Sequence, residues 1–193
     1  MAYNANMNVA DIRAGLLAGD FTAREVAETS FKRIEELDGE VHAFLELTKD
    51  AAFEQAAKID EALANGTFDE IGPLAGVPVA FKDNMNYEGT HTTCSSLMLE
   101  NYVSPYTATC VAKTIEAGGI PLGKLNMDEF AFGSSTETSA FGPTKTRGIL
   151  SASRAAAPAA LRHRSRLVLR ASRSVPTRVD QFASLQRSAA LLA

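Results

Sequence analysis

Leu74-Ala75-Gly76-Val77-Pro78-Val79-Ala80-Phe81-Lys82-Asp83-Asn84 is an apolar run that delivers one lysine and then turns polar. Pro78 has no backbone donor, which predicts a strand that lies at a sheet edge or begins only at Val79. Downstream, Val111, Ala112 and Ile115 fall at helical spacing within Thr107 to Ala117. Gly118-Gly119 stops that pattern, and Ile120-Pro121-Leu122-Gly123-Lys124-Leu125 resumes a strand. Strand, helix, strand in this order predicts a parallel crossover in an α/β fold, with ligand sites beyond the carboxyl ends of the strands. Lys82 and Asn126-Met127-Asp128-Glu129 then share one rim. Desolvation favours the neutral amine, so a lysine at the end of a buried strand is a candidate base. The alternative is a lysine that extends its ammonium to water and does no chemistry.

Upstream, the pattern is helical. Val9, Ile12 and Leu16 lie at three- and four-residue spacing, and Gly19 is a natural stop. Thr22-Ala23-Arg24-Glu25 is a capping box, and Val26, Ser30, Phe31, Ile34 and Leu37 form one face of a helix ended by Asp38-Gly39. Ala43 to Thr48 reads as a short strand. Asp50 is placed to cap a third helix through Phe53, Ala56, Ile59 and Leu63, with Gly66 after it. Asp69-Glu70 reads as an acidic turn.

After Lys82 come hydroxyl-rich residues, Thr90, Thr92, Thr93, Ser95 and Ser96. Adjacent side chains diverge on any regular element, so Asp128 and Glu129 read as a solvated turn rather than an acid/base pair. Residues 133–139, including Ser134, Ser135 and Thr136, either form a turn held by side-chain to backbone bonds or line a polar pocket.

Among 193 residues, 46% are apolar and no run approaches a membrane span, which predicts a soluble, cytoplasmic protein with no membrane association. The start has neither a basic region nor an apolar signal core. Cys94 and Cys110, without a Cys-x-x-Cys motif or clustered histidines, suggest reduced, partly buried thiols and no metal site. The net charge of −4 conceals a division: residues 1–146 carry 10 basic and 22 acidic side chains, whereas residues 147–193 carry nine arginines, no lysine and one acid, Asp180. Such a tail suits nonspecific contact with RNA phosphates.

Gly76 to Asn84, then Thr92-Thr93-Cys94-Ser95-Ser96, then Gly123-Lys124-Leu125-Asn126-Met127-Asp128-Glu129-Phe130-Ala131-Phe132-Gly133-Ser134-Ser135-Thr136-Glu137-Thr138-Ser139-Ala140-Phe141-Gly142-Pro143-Thr144-Lys145 resemble the amidase signature family in order and spacing. The likeness is greatest to its glutamine-amidase branch, the A subunits of tRNA-dependent amidotransferases. It implies the amino-terminal part of the amidase signature fold, a mixed sheet flanked by helices, left incomplete over residues 1–145. It also implies a Ser, cis-Ser, Lys triad with Lys82 as the charge-relay base. Met127, Asp128, Ser134, Ser135 and Thr136 are the candidates for the substrate pocket. Enzymes of this branch hydrolyse glutamine and pass ammonia to convert Glu-tRNA(Gln) or Asp-tRNA(Asn). The implied partners are the B and C subunits of a heterotrimer. Misacylated tRNA, ATP and Mg are held mainly by the B subunit, with no cofactor in this chain. An amidase of another substrate class and a noncatalytic fragment with an RNA-binding tail are the alternatives.

The family's two serines belong to a Gly-Gly-Ser-Ser-Gly-Gly-Ser stretch and a Gly-Ser-Asp-Thr-Gly-Gly-Ser-Ile-Arg stretch expected after residue 145. Neither is present, and from Thr146 the chain turns to Ala, Arg, Ser and Leu, with no glycine after Gly148. New codons can be formed from the third base of each codon and the first two of the next, with third bases free among synonyms. From Lys145 this permits Asn-Pro-Trp-Asp-Pro-Glu-Arg-Val-Pro-Gly-Gly-Ser-Ser-Gly-Gly-Ser-Ala-Ala. From Ser174 it permits Gly-Ser-Asp-Thr-Gly-Gly-Ser-Ile-Arg-Gln-Pro-Ala-Ala-Leu-Cys-Gly. Two fixed bases fit at each of these 18 and 16 positions, in order and in one frame. The expectation is a one-nucleotide deletion near the Lys145 codon, a truncated amidase without its serines, and an aberrant tail over residues 146–193. That tail is read as disordered, with at most a fleeting helix through Leu161, Ser165 and Leu169.

Overall fold

A computed structural model describes residues 2–4, 7–146 and 149–153. Two helices, α1 (Val9–Ala18) and α2 (Ala23–Val41), precede strand β1 (Phe44–Leu47). Helices α3 (Lys49–Asn65) and α4 (Phe68–Ile71) follow, then β2 (Pro78–Lys82), α5 (Thr109–Glu116) and β3 (Ile120–Leu125). The main sheet has the order β1-β3-β2, with β2 parallel and β1 antiparallel to β3. Pro78 therefore sits in an edge strand, where a missing donor is tolerated.

Capping explains where the helices begin. Thr22 and Glu25 form the reciprocal capping box, and Asn8 with Asp11 forms a second one ahead of α1. Helix α2 runs past Asp38-Gly39 to Val41 and ends at His42 in the left-handed region, φ 56°. The Asp38 carboxylate explains the extension, because it accepts from the amides of Ala43 (2.7 Å) and Phe44 and so organises the exit turn. Asp50 lies inside the first turn of α3; Thr48 is the cap position, and its hydroxyl donates to the Pro121 carbonyl at 2.9 Å instead. Asp69 and Glu70 belong to α4, and Asp69 pairs with Arg13 at 2.6 Å.

Ile12, Leu16, Phe21, Val26, Phe31, Ile34, Ile59, Phe68, Ile120 and Leu122 form one core between the helices and the sheet. Val9, expected on the same face, is exposed. Strand β3 is buried along its whole length, as a central strand covered on both faces must be. At Gly123 the neighbouring strand comes so close that an added Cβ would stand 2.2 Å from the Glu46 carbonyl oxygen, which is why this position has no side chain. At the end of the amidase-like sequence, β4 (Lys145–Thr146) pairs antiparallel with β5 (Ile149–Ser153). The rest of the arginine-rich tail, with its expected helix and disorder, lies outside the described residues. Among the described residues no helix is long and apolar enough to cross a membrane.

Candidate active site around Lys82

Parallel pairing of β2 with β3 places Lys82 opposite Leu125, so Lys82 and residues 126–129 meet at one rim, as the crossover requires. Lys82 is 9% exposed. Burial pushes its ammonium below the ordinary lysine range, while Asp128 and Cys94 pull in the opposite direction. Among the described residues it forms no ion pair.

A second lysine takes the neighbouring carboxylate. Lys124, fully buried in β3, stands 3.3 Å from Asp83 Oδ1 and donates to the His91 carbonyl at 2.8 Å and to Thr92 Oγ1 at 3.0 Å. The other oxygen of Asp83 accepts from the Thr93 amide (3.0 Å) and hydroxyl and from the Ser95 amide (3.4 Å). These bonds hold Cys94 and Ser95 in consecutive left-handed conformations, φ 51° and 55°, which non-glycine residues adopt only under external constraint. The Phe130 amide donates to the Cys94 carbonyl and the Ala140 amide to that of Ser95, so the loop after β3 closes over the loop after β2.

Asn126 is the hub on the other side. Its Oδ1 accepts from Ser95 Oγ (3.1 Å), Ser139 Oγ (2.7 Å) and the Met127 amide (2.9 Å). Its Nδ2 donates to the Gly142 carbonyl at 2.8 Å.

Asp128 corrects the solvated-turn reading. It is 6% exposed; Oδ2 accepts from the Thr136 amide at 3.0 Å and Oδ1 from the Thr138 hydroxyl at 3.1 Å. Adjacent side chains do diverge, because Glu129 turns instead to Ser96 Oγ at 2.6 Å. Of the remaining pocket candidates, Met127 is fully buried and Ser135 and Thr136 are buried, with Thr136 Oγ1 donating to the Ser135 carbonyl (2.6 Å) and accepting from the Thr144 amide (2.7 Å). Ser134 is exposed, and no hydrogen bond ties it to this network among the described residues. Cys110 is exposed rather than partly buried; Cys94 is half-buried, and burial raises its thiol above the ordinary range. Among the described residues no cluster of His, Cys, Asp or Glu could hold a metal ion. Lys124, Asp83, Ser95, Asn126 and Ser139 had no role assigned from sequence. The available signal was a lone lysine inside an otherwise apolar strand, since a charge buried there demands a partner.

The lowered positions of Lys82 and Lys124 fix the sign of the pH dependence. The unfolded chain binds more protons than the folded one from their folded midpoints up to 10.5, so stability rises with pH across that window and the burial cost is greatest below it. Cys94, raised from 9.0, opposes this trend only above that value. The melting temperature is therefore expected to rise with pH across that window, up to 10.5, and Lys82→Met to flatten the slope. Calorimetry across that range checks it; a slope that is unchanged in the variant contradicts it.

The amidase family model matches residues 25–146. The glutamyl-tRNA(Gln) amidotransferase A subunit of Alkaliphilus metalliredigens is 50% identical over 139 residues, and that of Prochlorococcus marinus strain MIT 9313 is 51% identical over 138. Each match covers 72% of this chain and 28% of the relative, so the chain spans just over a quarter of the length of these relatives. Among solved structures, the peptide amidase of Stenotrophomonas maltophilia superposes with a TM-score of 0.64 at 32% identity, over 72% of this chain and 29% of that one. The glutamyl-tRNA(Gln) amidotransferase A subunit of Thermotoga maritima gives 0.55 at 33%, over 74% and 27%. With its mixed sheet, its lysine at the carboxyl end of β2 and this extent of match, the chain belongs to the amidase family.

Proposed function

We propose that this chain is the amino-terminal part of the glutamine-hydrolysing A subunit of a tRNA-dependent amidotransferase, with Lys82 as its base. The observation that carries the reading is Lys82 itself: buried at the rim, shifted toward the neutral amine, and outside any ion pair among the described residues while the adjacent Asp83 is taken by Lys124. A neutral amine there takes a proton, through a bridging serine, from a nucleophilic serine. The serine oxygen bonds to the glutamine amide carbon, the C–N bond breaks as ammonia leaves with a proton, and water later cleaves the acyl-enzyme. Ammonia then passes to the B subunit, which holds misacylated tRNA, ATP and Mg; the B and C subunits make up the rest of a cytoplasmic heterotrimer. The hydroxyls and backbone at residues 134–136, with Met127 and Asp128, form part of the glutamine pocket.

Both serines belong to the alternative frame after Lys145. The family match stops at residue 146, where that frame departs, and this supports the reading. The chain as written is therefore expected to release no ammonia from glutamine above background. The gene with one base restored at the Lys145 codon is expected to yield an active glutaminase when expressed with the B and C subunits. Turnover by the purified 193-residue chain contradicts the assignment of the serines. An inactive restored complex contradicts the activity.

A further inference from the structure

Asp128 is a buried carboxylate with no cation in contact. The donors that hold its two oxygens, the Thr136 amide at 3.0 Å and the Thr138 hydroxyl at 3.1 Å, are neutral, and among the described residues it forms no ion pair. Neutral donors fasten a carboxylate without cancelling its charge, and a buried charge demands an opposite one. Lys82 meets that demand from the end of β2. It is likewise buried and outside any ion pair, its place opposite Leu125 puts it at the rim where the chain passes on to Asp128, and Asp128 is the carboxylate whose charge acts on it. Cys94 acts on Lys82 as well, but burial raises its thiol, so near neutral pH it is uncharged and Asp128 is left as the acting charge. The other acids nearby are occupied: Asp83 by Lys124, Glu129 by Ser96 Oγ at 2.6 Å, and Glu46 by the His91 amide at 2.8 Å.

We propose that Asp128 is a positioning residue that acts through Lys82: held at the rim by Thr136 and Thr138, its carboxylate is the counter-charge of the ammonium that Lys82 becomes on taking the serine's proton. This rests on the reading of Lys82 as the base, and it gives Asp128 a task beyond lining the pocket. A base desolvated without a counter-charge binds its proton too weakly to draw one from a hydroxyl, whereas a carboxylate in contact would keep the amine protonated and idle. Asp128 stands between these limits, because its oxygens are taken up by Thr136 and Thr138. The loop that supplies these donors is left-handed at Phe130, Ala131 and Thr136. Gly133 lets it pass so close to the carboxylate that an added Cβ would lie 2.4 Å from Asp128 Cγ.

The test is the pH midpoint of Lys82 in the full 193-residue chain, followed by the carbon-13 NMR shift of lysine Cε. The signal is assigned by its loss in Lys82→Met, and circular dichroism confirms folding. Asp128→Asn removes the charge and keeps the fastening, since its amide oxygen accepts from Thr136 and its amide nitrogen donates to the Thr138 hydroxyl. It is expected to lower the midpoint by about one pH unit. Asp128→Thr, a smaller neutral acceptor, is the second variant should Asn prevent folding. A mere loosening of the rim would admit water to Lys82 and raise the midpoint instead. Thr138→Val loosens the loop with the charge intact, and is expected to leave the midpoint in place or raise it. An unmoved or raised midpoint in the neutral variant overturns the proposal, as does an equal lowering in Thr138→Val. An ordinary lysine midpoint in the unaltered chain overturns the base reading, and the shifts between variants still decide whether Asp128 is the counter-charge.

Discussion

Lys82→Met in the frame-restored amidotransferase is expected to lower glutamine hydrolysis by at least about 10³-fold, because a serine hydroxyl is inert near neutral pH until a base within reach removes its proton. The methionine keeps the unbranched stem that packs at the carboxyl end of β2 and removes only the amine. The loss should therefore appear in kcat, with KM for glutamine little changed. Ammonia release at saturating glutamine measures the first, and its concentration dependence the second. A variant that keeps more than a tenth of the activity would show that Lys82 is an ordinary strand-end lysine. A loss confined to KM would place it in glutamine binding instead.

Asn126→Leu is expected to be the most damaging single change to the fold of the rim. The leucine leaves Ser95 Oγ and Ser139 Oγ without the oxygen they donate to and the Gly142 carbonyl without its 2.8 Å donor, all beside a side chain that is 1% exposed. An unsatisfied buried polar group costs about 1–3 kcal/mol, so the sum is roughly 3–5 kcal/mol, a large share of the stability of an ordinary domain. Thermal unfolding followed by circular dichroism should show a fall in Tm of the order of 10 °C. Ser139→Ala removes one donor and should cost about 1 kcal/mol. Equal effects of the two substitutions would show that Asn126 is not a hub.

The main-sheet strands and the rim were legible because their causes are local or periodic. The capping box at Thr22, the strand that ends in Lys82 and the strand from Ile120 each carry their own signal, and a crossover between parallel strands admits one placement of the rim. What could not be read depended on partners far along the chain. Asp38 gave no sign that it would cap the exit of its own helix, and Asp50 lost the cap position because Thr48 was drawn to Pro121, 73 residues away. Asp128 read as a solvated acid because the Thr136 amide and Thr138 hydroxyl that bury it meet it only through a loop held by left-handed residues, Phe130, Ala131 and Thr136. The same distance hid the second lysine. Lys124 and Asp83 sit on different strands' ends, with a whole crossover between them. Buried charges are satisfied by tertiary structure, whose partners neither periodicity nor turn chemistry names.

On the proposed reading, the rim of two strained loops around the buried Lys82 takes its serines from the alternative frame after Lys145. The DNA that encodes residues 145–193 tests this most directly. Read one base back from the Lys145 codon, its third bases should spell Gly-Gly-Ser-Ser-Gly-Gly-Ser and then Gly-Ser-Asp-Thr-Gly-Gly-Ser-Ile-Arg in one open frame without a stop. Third bases that break either motif, or a stop between them, would contradict it.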